Sequence, residues 1–347
     1  MPTPECGWTV GDGATVLAAP FPYFGGKRGA APRIWRVLGD PGGYVEPFAG
    51  SAAVLLGRPP IKGRRAETIN DSDGWLVNTW RAIAYDPAAV AHHAAGPVTE
   101  IDYHARLAWL QARRTPDLVA WLEGDPEHHD PKAAGWWLYV MACGIGNAFD
   151  AGPWQVVDGH LRKVPRQRGD AGKGVNRALP HLGNAGRGVN RALPHLGDAG
   201  QGVLREYMSA LARRLSTVRI TCGDWQRVVQ PSVTRASAGG DGSGAILLDP
   251  PYTTSGDLYA DDDANGDLST ATREWCITAD PEIRIVLCGY DTEHDDLLGH
   301  GWTVTAGKSG RGSGYSTRWD NGRRERLWLS PACLPMNIQG DLLGMLT

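Results

Sequence analysis

Short apolar runs bounded by glycine, proline and acidic residues recur towards both ends of the chain and set its predicted elements. Gly43 to Phe48, Glu67 to Asn70, Val218 to Cys222, Ala245 to Leu248, Ile283 to Cys288, Trp302 to Ala306 and Arg326 to Leu329 each read as a short strand. Between them the apolar spacing turns helical, around Ile34 to Leu38, Ala52 to Leu56 and Glu206 to Leu215. It is clearest over Gly74 to Tyr85, where Trp75, Leu76, Thr79, Trp80 and Ile83 share a face. Strands alternating with helices predict a doubly wound, mostly parallel α/β sheet of about seven strands. From about 87 to 155 the pattern is helical but irregular, with breakers at Pro97, Pro116 and Pro131. The expected organisation is therefore one sheet domain, 1–90 and 203–347, interrupted by an insertion, 91–202, between its second and third strands.

Composition is ordinary for a globular protein: of 347 residues, 42% are hydrophobic and 21% charged. No apolar run is long enough to span a bilayer. The cysteines (Cys6, Cys143, Cys222, Cys276, Cys288, Cys333) form no CxxC pair, which predicts reduced thiols, a cytoplasmic location and no metal site. A net charge of −3 gives no global attraction to nucleic acid, so any such surface must be local.

One basic stretch stands out. Asp170 to Gly183 recurs almost unchanged at Asn184 to Gly197, and Asp198 to Val203 begins a third copy. Arg162, Lys163, Arg166, Arg168, Lys173, Arg177, Arg187 and Arg191 face a single acid there, Asp170. A strap across DNA phosphates, adding salt-sensitive affinity, is one reading; duplication in a tolerant loop is the other. The residues leave both open.

The chemistry concentrates in two places. The strand ending at Leu248 runs into Asp249, Pro250, Pro251 and Tyr252. The prolines stop the strand and stiffen the turn, which then offers a carboxylate, unpaired main-chain carbonyls and a flat ring, a set suited to an exocyclic amine of a nucleobase. The other place is Glu46, Pro47, Phe48, Ala49, Gly50 and Ser51, a strand, a glycine turn and a helix start, where backbone N–H groups can approach a ligand. Asp71 ends the next strand about 20 residues on, the spacing of an acid that binds ribose hydroxyls. The turn lacks GxGxxG, which disfavours a dinucleotide, and has no Walker lysine.

FPYFGGKR (21–28), YVEPFAGSAAV (44–54), NDSDGWLVN (70–78) and LLDPPY (247–252), in that order, resemble the motifs of D12-class, Dam-like DNA adenine-N6 methyltransferases, including phage-borne and actinobacterial members. The resemblance covers most of 20–90 and 203–330. It implies a Rossmann-like fold that uses S-adenosylmethionine (AdoMet) to methylate N6 of an adenine flipped out of DNA, with the insertion choosing the target. Ala49, Gly50 and Ser51 would then lie along the methionine part of the cofactor, Asp71 on its ribose, and Asp224 and Trp225 beside its adenine. Tyr23, Phe24, Gly25, Gly26 and Lys27 would close over cofactor and catalytic site. Asp249 and the Pro250 carbonyl would accept the two N6 hydrogens, with Tyr252 stacked on the base. The same resemblance leaves open a catalytically inactive DNA-binding homologue, an RNA amino-methyltransferase, and a restriction or defence-system partner. The expected form is a monomer on duplex DNA.

Overall fold

The computed structural model describes residues 17–23, 25–60, 63–113, 117–125, 128–145, 154–157, 160–163, 174–175, 198–234, 239–251, 262–307 and 324–336. Phe24, Tyr252, Arg166, Arg168, Lys173, Arg177, Arg187 and Arg191 lie outside them.

Helix α1 (Ala31–Leu38) leads into strand β1 (Gly43–Glu46), the short α2 (Ala53–Leu56), β2 (Ala66–Asp71) and α3 (Gly74–Tyr85). Four helices follow: α4 (Pro87–Ala94), α5 (Glu100–Gln111), α6 (Asp117–Gly124) and α7 (Pro131–Cys143). Two small antiparallel pairs come next, β3 (Gly144–Ile145) with β6 (Gly174–Val175), and β4 (Trp154–Val157) with β5 (His160–Lys163). Helix α8 (Asp198–Leu215) returns the chain to β7 (Val218–Cys222), α9 (Pro231–Thr234), β8 (Gly244–Leu248), α10 (Asp262–Thr278), β9 (Arg284–Tyr290), β10 (Thr303–Ala306) and β11 (Glu325–Leu329).

Seven of these strands form one sheet in the order β10-β11-β9-β8-β1-β2-β7, and the five from β9 to β7 are mutually parallel. β11 runs antiparallel to both neighbours. All seven are the strands expected from the apolar runs, with ends displaced by a residue or two. The insertion leaves between β2 and β7, as expected.

Successive residues of a strand point to opposite faces, and both faces here are covered. Ala245 and Leu247 of β8 and Val286 and Cys288 of β9 join the larger core, which runs into α1–α8. Ile246, Leu248, Ile285 and Leu287 join a second core with Val228, Cys276, Leu297 and Trp328. The larger core does not stop at the insertion: Tyr103, Leu107, Leu118, Leu138 and Val140 belong to it. Helix α7 lies so close to α4 that a Cβ on Gly135 would meet the backbone nitrogen of Ala94 and the carbonyl of Val90, each at 2.8 Å.

Two expectations are corrected. The boundary at 90/91 falls inside α4, and the helix expected from Glu206 begins at Asp198, within the third repeat copy. The reason is local: Met208 stands where the first two copies have Pro180 and Pro194, so nothing there breaks a helix. None of the five described cysteines forms a disulfide. Among the described residues no helix is long and apolar enough to cross a membrane.

Candidate active site

From β1 the chain winds outward through β2 and β7, then returns to β8 and winds the other way through β9. The connections leaving β1 and β8 therefore diverge, opening a crevice at the carboxyl ends of these strands, the place where open α/β sheets hold ligands. A cavity of about 500 Å³ fills it, a volume typical of small-molecule sites. Glu46 to Ser51 line it after β1, Asp71 to Asp73 after β2, Gly223 to Trp225 after β7 and Asp249 to Pro251 after β8. Tyr23, Gly25, Gly26 and Lys27 close it from the N-terminal segment. Every described candidate from the two chemical stretches and the N-terminal motif thus shares one cavity. Gly223 and Leu268 line it too and carry no sequence signal of their own, while Ser72 and Asp73 belong to the NDSDGWLVN motif.

The turn after β1 depends on glycine. Gly50 has φ of +48°, and a Cβ there would come within 2.5 Å of the Tyr23 ring, so the position needs both the left-handed region and the missing side chain. Ala52 also sits at positive φ, a cost of about 1–2 kcal/mol for a residue with a Cβ. Asp71 holds the turn: its carboxylate accepts from the N–H of Gly50 at 2.9 Å and of Asp73 at 3.0 Å. Burial outweighs these bonds and pushes the Asp71 carboxyl up to about 6. The indole N–H of Trp80 donates to the Gly50 carbonyl, and Phe21 packs between Trp80 and Trp137. These contacts dock the N-terminal segment on the glycine turn.

Asn70 ties three strand ends together. Its amide donates to the carbonyls of Pro47 (3.0 Å) and Gly223 (2.9 Å), while its oxygen accepts from Thr221. Asn70→Ala is expected to lower unfolding free energy by about 2 kcal/mol, since buried acceptors lose their donor, and to loosen the cavity wall. Denaturant unfolding with and without a cavity ligand would show both effects; an unchanged midpoint would refute the role.

Asp224 is exposed and uses its carboxylate to cap the turn after β7, accepting from the Gln226 N–H at 2.7 Å. Trp225 is buried, its ring 5.7 Å from Phe48 and 5.9 Å from Trp275. Phe48 and Trp225 form the apolar part of the wall. Glu46, almost fully buried, accepts from the Tyr44 hydroxyl at 2.7 Å and from the Leu55 N–H. Burial, against those bonds, pushes its carboxyl up to about 7.

On the β8 side, Asp249 Oδ1 lies 2.7 Å from Lys27 Nζ. Lys27 is buried, and a second carboxylate, Glu325 at the start of β11, is 3.1 Å from the same nitrogen. Burial alone would push Lys27 down, but Asp249 and Glu325 outweigh it and hold the ammonium well above the usual lysine range. Lys27, grouped by sequence with the cofactor residues, thus has its charge on the Asp249 side. Glu325 was missed, because nothing along the chain links it to a lysine so far away.

Of the basic insertion residues, Arg162 is described and exposed on β5, opposite Gln155, and Lys163 pairs with Trp154. The other six lie outside the described residues.

No protein-family model matches this chain, and no curated protein matches it either.

Proposed function

We propose that this protein is an AdoMet-dependent DNA methyltransferase that modifies N6 of an adenine flipped out of the duplex. The observation that carries this is one cavity, at the reversal of strand order, joining a glycine turn, an acid on the next strand and an Asp-Pro-Pro turn. The parallel sheet covered on both faces supports a Rossmann-like reading of the fold.

The wall suits the cofactor. Asp71 stands at the end of β2 beside the glycine turn, Phe48 and Trp225 offer apolar surface for a purine, and acids at positions 46 and 71 complement positive charge. When bound, the cofactor supplies a methyl group on a positively charged sulfur. The protein's part is positioning. Adenine N6 is a poor nucleophile because its lone pair is delocalised into the ring. Asp249 and the Pro250 carbonyl accepting its hydrogens would favour a tetrahedral nitrogen and aim it in line. Such alignment is worth up to ~7–11 kcal/mol, and the carboxylate also stabilises positive charge developing on N6. Flipping the base costs on the order of a few kcal/mol.

The test is incubation with labelled AdoMet and unmodified duplex DNA, digestion to nucleosides and mass spectrometry. N6-methyl-deoxyadenosine is expected. Cofactor binding with no methylated base across diverse DNA would overturn the proposal.

The raised carboxyls also predict pH dependence. Without ligand, native Asp71 and Glu46 hold protons that the unfolded chain has released, so their contribution to stability falls as pH rises from about 4 towards 7. A cationic ligand favours the ionised forms. AdoMet binding is therefore expected to release protons and tighten as pH rises from 5 to 7. Calorimetry in buffers of different ionisation enthalpy checks this; binding without proton release would contradict it.

A further inference from the structure

Three acceptors surround the Lys27 ammonium, one for each of its N–H bonds: the Gly25 carbonyl at 2.8 Å, Asp249 at 2.7 Å and Glu325 at 3.1 Å. Lys27 and Glu325 are both almost fully buried, so these contacts are little screened by solvent. The Lys27–Asp249 pair alone would be neutral. That is a poor partner for a nitrogen acquiring positive charge, and the ammonium would compete with the substrate amine for Asp249. Glu325 changes both conditions: it pulls on the ammonium from the side of β11 and brings these three described side chains to a net charge of −1.

We infer that Glu325 is a positioning residue for the methyl transfer, acting through Lys27 to aim the Asp249 carboxylate and to leave the cluster net negative. This rests on the proposed reading of the cavity. Among the described residues, titratable groups facing the cluster include Glu46 from β1 and Cys288 and Tyr290 from β9. Burial, followed for the thiol by Asp249, pushes Cys288 up.

The test compares full-length wild type, Glu325→Gln and Glu325→Asp in steady-state methylation of duplex DNA across pH. For Glu325→Gln, kcat is expected to fall by roughly 10- to 100-fold, short of removing a directly acting electrostatic group, with the KM for AdoMet nearly unchanged. The acid limb of its profile should move to lower pH, because Asp249 loses a like-charged neighbour and keeps its cation. Glu325→Asp should recover much of the rate. Wild-type kcat in Glu325→Gln, or a loss that tracks the unfolded fraction with an unmoved profile, overturns the inference.

A second readout needs no activity. In ¹⁵N-lysine spectra, with Lys27→Met supplying the assignment, the Lys27 ammonium should stay charged where exposed lysines titrate and should shift in Glu325→Gln. A Lys27 signal that titrates with the others, or ignores Glu325→Gln, overturns the pairing. If wild type methylates no DNA while these shifts appear, the functional reading falls and the pairing stands.

Discussion

Asp249→Ala is expected to lower kcat for adenine methylation by on the order of 10³- to 10⁴-fold, the scale of losing a group that handles the reacting proton and charge. Cofactor affinity should change little, because the glycine turn, Asp71 and Trp225 stand on β1, β2 and β7, while Asp249 stands on β8. The substitution also leaves Lys27 with Glu325 and the Gly25 carbonyl, so the ammonium keeps a buried partner and the fold should survive. Asp249→Asn separates shape from charge: it keeps an acceptor oxygen, loses the negative charge, and should fall nearly as far. The measurement is single-turnover methylation beside calorimetric titration with AdoMet. Asp249→Ala turning over at the wild-type rate would remove Asp249 from the mechanism.

The second large effect is on stability. Lys27→Met leaves the buried Glu325 and the partly exposed Asp249 without their shared cation. Breaking a buried pair from one side costs about 3–5 kcal/mol, and that loss is expected here at neutral pH. The sign of its pH dependence follows from Lys27 being held above its ordinary range. In wild type the lysine's contribution is complete at every pH below the ordinary lysine value and fades only in strong alkali. In the variant the stranded carboxyls take up protons, so destabilisation should be mild in acid and grow as pH rises through the carboxyl range. Adding Glu325→Gln to Lys27→Met should restore part of the loss. Denaturant unfolding of the three proteins at acidic and neutral pH measures this, and a Lys27→Met variant as stable as wild type at neutral pH would refute the buried triad.

The sheet was legible because its strands are short runs and four of them meet a clear stop: Pro47 after β1, Asp71 at the end of β2, Asp224 after β7 and Pro250 after β8. The cavity was legible for the same reason, since its walls are the turns that end those strands. The insertion was legible as an irregular helical stretch, but its separate helices were not. Helix α7 is buried on nearly every side from Ala133 to Cys143, and a helix that is apolar all round shows no stripe to read. Asn70 and Glu325 were hidden differently. Asn70 opens the NDSDGWLVN motif and Glu325 starts a strand, but their partners show only when the fold brings Pro47 and Gly223, or Lys27, within reach. Their importance is a property of three-dimensional neighbours, which no spacing along the chain encodes.

The shared core of sheet and inserted helices has a consequence for how such a protein can be re-engineered. Helices α7 and α8, at the two ends of the 144–197 stretch, both pack on α4, so the chain departs from and returns to a single solid base. A cassette cut at the apparent domain edge, 90/91, would sever α4 and leave Val90, Ala91 and Ala94 without their partners. A cassette cut after Cys143 and before Asp198 would carry the first two repeat copies and the basic residues while leaving that base whole. On the proposed function, this interval is where changes by insertion, deletion and duplication would alter target preference while the packed base stays in place.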